Sequence, residues 1–477
     1  MPLRVNDYLA PMNATYDFGM VGLGVMGQNL LLNIADNGFA AIGFDLNSEK
    51  TTALEAAATP GTMVKGVNSL AEMVQVLKVP RTVMLLVPAG KPVDDVINSL
   101  LPLLQPGDII IDGGNSFYTD TIRRVTQVAP TGIHFMGMGV SGGEEGARRG
   151  PALMPGGDEN AYQHIQPILQ AIAAKVHGNE PCVAYMGKDG AGHYVKMVHN
   201  GIEYAIMQLI SEVYDILKRG TGASNEQMHA YFNEWNNGKL KSYLIEITAA
   251  IFKQSDTLTN AALLDVILDK AGSKGTGKWT SQDAMNHGVA IPVIDAAVAL
   301  RTISSYKTQR TQAAQLYPSR VGKVHLTVNE IADALFAAII LCYAQGLSLI
   351  ATASEQLNMQ VPLHDAVKVW RGGCIIRSTL LEDFYQAYQR NPMLQNILLD
   401  APLAAQLQAH IPALRKVIAE AITAGIPVMG LYNALGYFDN YTLERMPTNM
   451  IQAQRDYFGA HTYQRTDRDG IFHTQWS

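Results

Sequence analysis

Between positions 196 and 204 the chain reads KMVHNGIEY, which sets Lys196, His199, Asn200 and Glu203 at i, i+3, i+4 and i+7. On a helix those four side chains leave from one face. An amine, an imidazole, an amide and a carboxylate on one stripe can move protons and hold a polar ligand. The competing reading is a solvated face with helix-spaced charges. Met197, Val198, Ile202 and Ala205 on the remaining sides argue for burial, where charge needs a partner or a task.

A stripe of this kind has to be held against something. Near the N-terminus, DFGMVGLGVMGQNLLLNIADNGFAAIGFDLNSE (residues 17–49) places Gly22-Leu23-Gly24-Val25-Met26-Gly27 between a short apolar run and a helical pattern. A second apolar run ends at Asp45, 23 positions after Gly22. That context turns a common glycine pattern into a dinucleotide signal: glycines let backbone approach a pyrophosphate, and a helix N-terminus offers free N–H groups. The alternative is a glycine-rich turn in an unrelated α/β protein. A carboxylate at Asp45 can accept from both ribose hydroxyls and repels a 2′-phosphate, and Leu46 offers no cation, so NAD is favoured. Alternatively Asp45 only caps the helix before Ser48.

Apolar strands are expected at Thr82–Val87 and Asp108–Asp112, with helical stretches between, which makes a parallel doubly wound sheet. Gly113-Gly114-Asn115-Ser116 then lies at a strand's carboxyl end, where Asn115 can bridge cofactor and substrate or merely turn the chain. In Gly137–Gly157 three clusters of small residues are expected to expose backbone N–H groups suited to a carboxylate. Glu144, Glu145, Arg148 and Arg149 are read there as surface pairs. The βα alternation stops near Gly187–Gly192, and helical patterns run from there to about Met446. KAGSKGTGKWT (270–280) interrupts them, as a phosphate cradle or a flexible basic loop; it lacks P-loop spacing. Asn200–Arg219 and Ala334–Ser354 share a loose apolar spacing. The end, 447–477, is polar and aromatic: either a tail whose Arg455, Tyr457 and His461 close a site, or a frayed terminus.

The whole chain sets bounds on these readings. At 477 residues two or three domains are expected, and 48% hydrophobic with 16% charged residues fits a packed globular protein. A net charge of −6 without dense Lys/Arg runs argues against nucleic acid. Cys182, Cys342 and Cys374 lie too far apart for a disulfide framework or a zinc site and read as small buried residues in a reducing compartment. Asp7 and Asp17 interrupt the N-terminus, so no signal peptide is expected. Ala334–Ala353 is long and uncharged enough to span a bilayer, but Gln345, Gly346, Ser348 and Thr352 dilute it; a central core helix in a soluble protein is expected.

GLGVMGQN (22–29), DGGNS (112–116), VSGGEEGAR (140–148), KMVHNGIEY (196–204), KGTGKW (274–279), WRGGCIIR (370–377) and RDYFGAHTY (455–463) together resemble the 6-phosphogluconate dehydrogenase family, over nearly the full chain. The resemblance implies a Rossmann-type doubly wound domain (1–189), a large all-α substrate and dimerisation domain (190–446) and an extended C-terminal tail (447–477) reaching the partner in a homodimer. It implies a cytoplasmic enzyme of the pentose phosphate pathway that converts 6-phosphogluconate to ribulose 5-phosphate and CO2. Lys196 would be general base and later acid, and Glu203 the final general acid. Asn115, Ser141, Gly142, Gly143, His199 and Asn200 would hold the sugar acid; Tyr204, Lys274, Thr276 and Arg301 its phosphate; Arg455 and His461 would come from the other subunit. The cofactor would lie along Gly22, Leu23, Gly24, Val25, Met26, Gly27, Asp45, Leu46, Asn47, Val87, Pro88, Ala89 and Asn115.

There are departures. Gly24 stands where the family often has Ala, Pro88 where it often has Lys, and Asp45-Leu46-Asn47 where NADP-dependent members carry Asn-Arg-Thr. The commoner family cofactor is NADP, yet the 2′-phosphate site does not carry over, and the preference for NAD stands. A protonated lysine facing a β-keto acid suffices for decarboxylation, so no metal is expected. Two rivals stay open: another β-hydroxyacid dehydrogenase acting on an unphosphorylated acid, and a catalytically silent nucleotide-sensing scaffold.

Overall fold

The computed structural model describes residues 15–318 and 320–476; Asp7 and the terminal Ser477 lie outside them. The strands of the main sheet are β1 (Phe18–Val21), β2 (Ala41–Phe44), β3 (Val64–Val67), β4 (Thr82–Leu85), β5 (Ile109–Asp112), β6 (His134–Ser141) and β7 (Ala152–Gly157). Helices α1 (Val25–Asp36), α2 (Ser48–Ala56), α3 (Leu70–Val76), α4 (Lys91–Leu100), α5 (Tyr118–Val128), α6 (Gly143–Arg149) and α7 (Glu159–Ile172) alternate with them. The sheet order is β3-β2-β1-β4-β5-β6-β7, parallel except that β7 runs antiparallel to β6. The order reverses between β2 and β4 around β1, and ligands of such sheets bind at that switch point.

The central strands β1, β4 and β5 are four residues long and wholly buried because both sheet faces are covered. Ile109 and Ile111 point into one core with Met20 and Leu30, while Ile110 points into the other with Val21 and Ile42. Beyond the sheet, α8 (Ala191–Asp215) begins a wholly helical region with a third core. The helix Val328–Gln356 is long and apolar enough to cross a membrane, but 89% of its most apolar window is buried inside the protein. It packs on α8, where Gly346 leaves room for Ile202 and Val198.

One expectation needs correction here. The glycines of 137–157 do not mainly present free N–H groups: Gly137 and Gly139 are paired within β6, and Gly156 within β7. Their missing side chains admit α8 instead. A Cβ on Gly139 would overlap the Lys196 stem, and one on Gly192 would overlap the carbonyls of Gly137 and Met154. The arginines of this segment do form ion pairs near the surface: Arg149 faces Glu145 at 3.6 Å, and Arg148 crosses to Asp36 on α1.

Candidate active site

Lys196 sits on α8 where the helix presses on β6, 7% exposed, with no hydrogen bond or ion pair among the described residues. Burial pushes its pKa down to about 8, against the pull of Glu203 and Cys374. An amine in that range can both take and return a proton near neutrality. Glu203, two turns on, is pushed the other way: burial raises its carboxyl above the usual range, although Lys196 and Arg301 oppose the rise. One face of one helix thus carries a weakened base and a weakened acid.

Between them, His199 is fully buried and held neutral by desolvation and by Lys196. Its Nδ1 lies 3.0 Å from Asn200 Oδ1, an acceptor, so Nδ1 carries the proton. Nε2 then accepts from the Ser141 hydroxyl at 3.3 Å. This leaves the Asn200 amide N–H groups free to donate to a ligand. Ser141 ends β6, and the chain turns at Gly142 (φ 128°) into α6, where a Cβ would strike the Gly373 carbonyl. Trp370 stands edge-on to the His199 ring at 5.8 Å.

The next residue along α8, Tyr204, has the Arg301 guanidinium 3.3 Å above its ring. Arg301 also donates to the Gly272 carbonyl at 3.0 Å. The segment read as a cradle or a flexible loop is a turn followed by a helix, Thr276–His287, whose N-cap Gly275 (φ 97°) makes no side-chain cap. Its first N–H groups therefore remain available beside Lys274 and Arg301, a geometry suited to an anion. The helix is pinned to α8 by Thr280, which donates to the Met197 carbonyl at 3.0 Å, and by Gly277 against the Tyr204 ring.

At the switch point a cleft of about 950 Å³ is lined by Gly22, Gly24, Val25, Met26, Gly27, Asp45, Leu46, Val87, Pro88, Ala89, Gly114 and Asn115. Gly22 (φ 95°) leaves no room for a Cβ beside Leu86, and Gly27 none beside the Gly22 carbonyl; beside Gly24 the space is open, so alanine would fit. The α1 N-terminus lacks a side-chain cap, so its N–H groups face the cleft unpaired, which fits a dinucleotide pyrophosphate. Two residues named from the resemblance have side chains occupied elsewhere. Leu23 is buried in the core, giving only its N–H to Asp45 at 2.8 Å, and Asn47 caps α2 by accepting from Glu49 N–H.

Sequence reasoning overlooked Lys50. One turn into α2, its amine lies 3.2 Å from Asp45 and is the one cation among the cleft residues. Partial burial raises the Asp45 carboxyl, but the N–H groups of Asn47 and Leu23 and the Lys50 amine outweigh it and hold it below the usual range. A lysine five residues after the strand's acid was the available signal. Arg124 was also missed: fully buried, it donates to Asp94, Asp112, Ser116 and the Gly90 carbonyl, tying together the two loops that flank Asn115. No local pattern announces it, because its partners lie 8 to 34 residues away.

The tail is not frayed. The helix Thr448–Gly459 and a bridge between Tyr463 and Phe472 enclose Asp456, which accepts from Thr462 N–H, His473, Thr474 N–H and Trp476. Arg455 and His461 are exposed on this unit and touch none of Lys196, Tyr204 or Arg301 among the described residues.

Because the Glu203 charge raises the Lys196 pKa, removing it has a definite sign. Glu203→Gln is expected to move the ascending limb of kcat/KM against pH to lower pH, since the amine then loses its proton more easily. If Glu203 is the acid of the reaction, kcat should also fall about 10²-fold. An unmoved limb in the pH profile would dissociate the two groups.

Residues 17–187 match a family model described as the NAD binding domain of 6-phosphogluconate dehydrogenase. Residues 192–476 match one described as the C-terminal domain of 6-phosphogluconate dehydrogenase. A Bacillus subtilis protein named 6-phosphogluconate dehydrogenase, NADP(+)-dependent, decarboxylating is 50% identical over 464 residues, covering 96% of this chain and 98% of that one. A decarboxylating 6-phosphogluconate dehydrogenase of Aggregatibacter actinomycetemcomitans is 48% identical over 98% of this chain and 97% of its own. Among solved structures, Plasmodium falciparum 6-phosphogluconate dehydrogenase, studied in its apo form and with NADP+ and 6-phosphogluconate, superposes with a TM-score of 0.93. It is 43% identical and covers 96% of this chain and 100% of that one.

Proposed function

This chain belongs to the 6-phosphogluconate dehydrogenase family, and from that premise we propose that it oxidises and decarboxylates 6-phospho-D-gluconate to D-ribulose 5-phosphate and CO2 while NAD(P) is reduced, with Lys196 as base and then acid and Glu203 as final acid. The observation that carries the assignment is a buried lysine at about pKa 8 and a raised glutamic acid on one face of α8. In this reading Ser141, Gly142, Gly143, His199 and Asn200 hold the sugar acid and Tyr204, Lys274, Thr276 and Arg301 its phosphate, supported by the Ser141–His199 bond, the Arg301–Tyr204 contact and the uncapped helix N-terminus at Thr276.

A C3 hydroxyl is weakly acidic, so C3 is oxidised only as a base takes its proton; neutral Lys196 does this. Gly22–Gly27, Asp45 and Asn115 would hold the dinucleotide, whose nicotinamide would supply the hydride acceptor. The resulting 3-keto acid has a carbonyl β to the carboxylate, an electron sink for loss of CO2. Lys196, now an ammonium, protonates that oxygen as the C–C bond breaks. Glu203 then gives a proton to C1 of the enediol while Lys196, neutral again, takes back the proton from the C2 hydroxyl, leaving the ketone. Binding energy from the remote phosphate, taken up by Arg301 and the helix N-terminus at Thr276, holds C3 in place for these steps.

The chain divides, in this reading, into 1–189 for the cofactor, 190–446 for substrate and dimerisation, and 447–477 as a tail that reaches the partner of a homodimer with Arg455 and His461. Its place is the cytoplasm. Cofactor preference rests, in this reading, with Asp45: a carboxylate held below its usual pKa would face the ribose of a bound dinucleotide, so NAD is favoured, with Lys50 partly offsetting its charge. The Bacillus subtilis relative is named NADP(+)-dependent, which makes the comparison sharp. Initial rates with 6-phosphogluconate and each cofactor test both points. Asp45→Asn is expected to shift the kcat/KM ratio about tenfold toward NADP by removing one repulsive charge. A ratio unmoved by that change would reject Asp45 as the selector, and no reduced cofactor with either dinucleotide would reject the activity.

A further inference from the structure

We propose that Asp283, held by Tyr118 and Tyr194, is a positioning hub that sets the geometry between the Asn115 loop and the Lys274–Thr276 turn. Asp283 is 2% exposed, yet no lysine or arginine pairs with it among the described residues. Instead the Tyr118 hydroxyl donates to one carboxylate oxygen at 2.7 Å and the Tyr194 hydroxyl to the other at 2.6 Å. His287 Nε2 stands 3.4 Å from the second oxygen.

Those residues come from three separate elements, each of which bears part of the site. Tyr118 opens α5, three residues after Asn115; Tyr194 precedes Lys196 by two on α8; Asp283 lies on the helix that starts at Thr276. Aromatic contacts follow the same route. Tyr118 meets Tyr194 edge-on at 4.8 Å, and Phe117 meets Trp279 of the KGTGKW segment at 5.0 Å. An apolar trio would fill this junction at less desolvation cost. Two short, directional bonds on one carboxylate add what apolar packing lacks, a fixed angle between elements. Hydride transfer depends steeply on that angle, because the sugar acid is anchored by the helical side and the nicotinamide by the sheet.

The inference rests on the dehydrogenase reading above, so the wild-type rate with 6-phosphogluconate is measured first; its absence defeats both. Tyr118→Phe, Tyr194→Phe, the double variant and Asp283→Asn are then compared, using substrate with hydrogen or deuterium at C3. The Phe variants keep the rings and remove only hydroxyls, so they retain the test if Asp283→Asn does not fold. In the double variant kcat is expected to fall about tenfold, more than the two single losses combined, with a larger isotope effect on kcat/KM. The Kd for reduced cofactor alone should stay within about twofold, because the hub lies outside the nucleotide cleft. A double variant with lower Tm but with kcat and isotope effect at wild-type values would reduce the trio to a structural tie and overturn the proposal.

Discussion

Lys196→Ala is expected to lower kcat by about 10³- to 10⁴-fold while KM for 6-phosphogluconate changes by no more than a few-fold. In the proposed mechanism the same amine takes the C3 proton and later returns one to the keto oxygen, so two successive steps would lose their proton carrier. No neighbour replaces it. His199 is neutral but already bonded at both nitrogens, and Glu203 sits two turns away with a raised pKa. The effect on stability should be small: the lysine is buried without a hydrogen-bond or ion-pair partner among the described residues, and removing it relieves a desolvation cost while leaving a cavity against Gly139. Lys196→Arg should be nearly as inactive, because a guanidinium cannot shed its proton near neutrality. Steady-state rates with a binding titration decide the matter; kcat within about tenfold of wild type for the alanine variant would remove Lys196 from the chemistry.

Truncation after Met446 is expected to abolish turnover, to below about 1% of wild type, while the helical domain stays folded. The deleted unit is a preformed clip: Asp456 gathers four donors around its carboxylate, which holds the helix Thr448–Gly459 against the bridge at Tyr463. Met450, Ile451, Tyr457 and Phe458 are exposed on it, more apolar surface than so small a unit leaves to water without a partner. If it docks on a second copy, Arg455 and His461 arrive with it. Co-expressing truncated chains with full-length Lys196→Ala chains gives the decisive readout. Each is expected to be dead alone, but if the tail is exchanged, the truncated chain of a mixed dimer keeps Lys196 and borrows the other's tail. About a quarter of wild-type activity should return for random pairing. No recovery in isolated mixed dimers would exclude a shared site.

The Lys196–Glu203 stripe was legible in the sequence because helical periodicity is local: spacing alone puts four side chains on one face. The same holds for Gly22–Gly27 and for Asp45, whose relation to the glycines is fixed by one strand-helix-strand unit. The long apolar helix Val328–Gln356 was legible as core for a similar reason, since its polar residues were too many for lipid. Strand β6 was not legible as a strand. Its glycines look like loop residues, but they are there so that α8 can approach; nothing in a one-dimensional pattern distinguishes a glycine that turns from one that makes room.

What this chain's sequence determined by itself is the inventory of groups and their local presentation: a helix with an amine, an imidazole, an amide and a carboxylate, a glycine turn before a helix, and a basic turn rich in glycine. Only the tertiary structure decided their protonation and their company. Pressing α8 onto Gly137 and Gly139 strips water from Lys196 and so lowers its pKa, and burial raises that of Glu203. The ion pair of Lys50 with Asp45, the ties of Arg124 and the meeting of Tyr118, Tyr194 and Asp283 join separate elements. Desolvation and long-range contact are properties of the packed chain, and no local spacing encodes them.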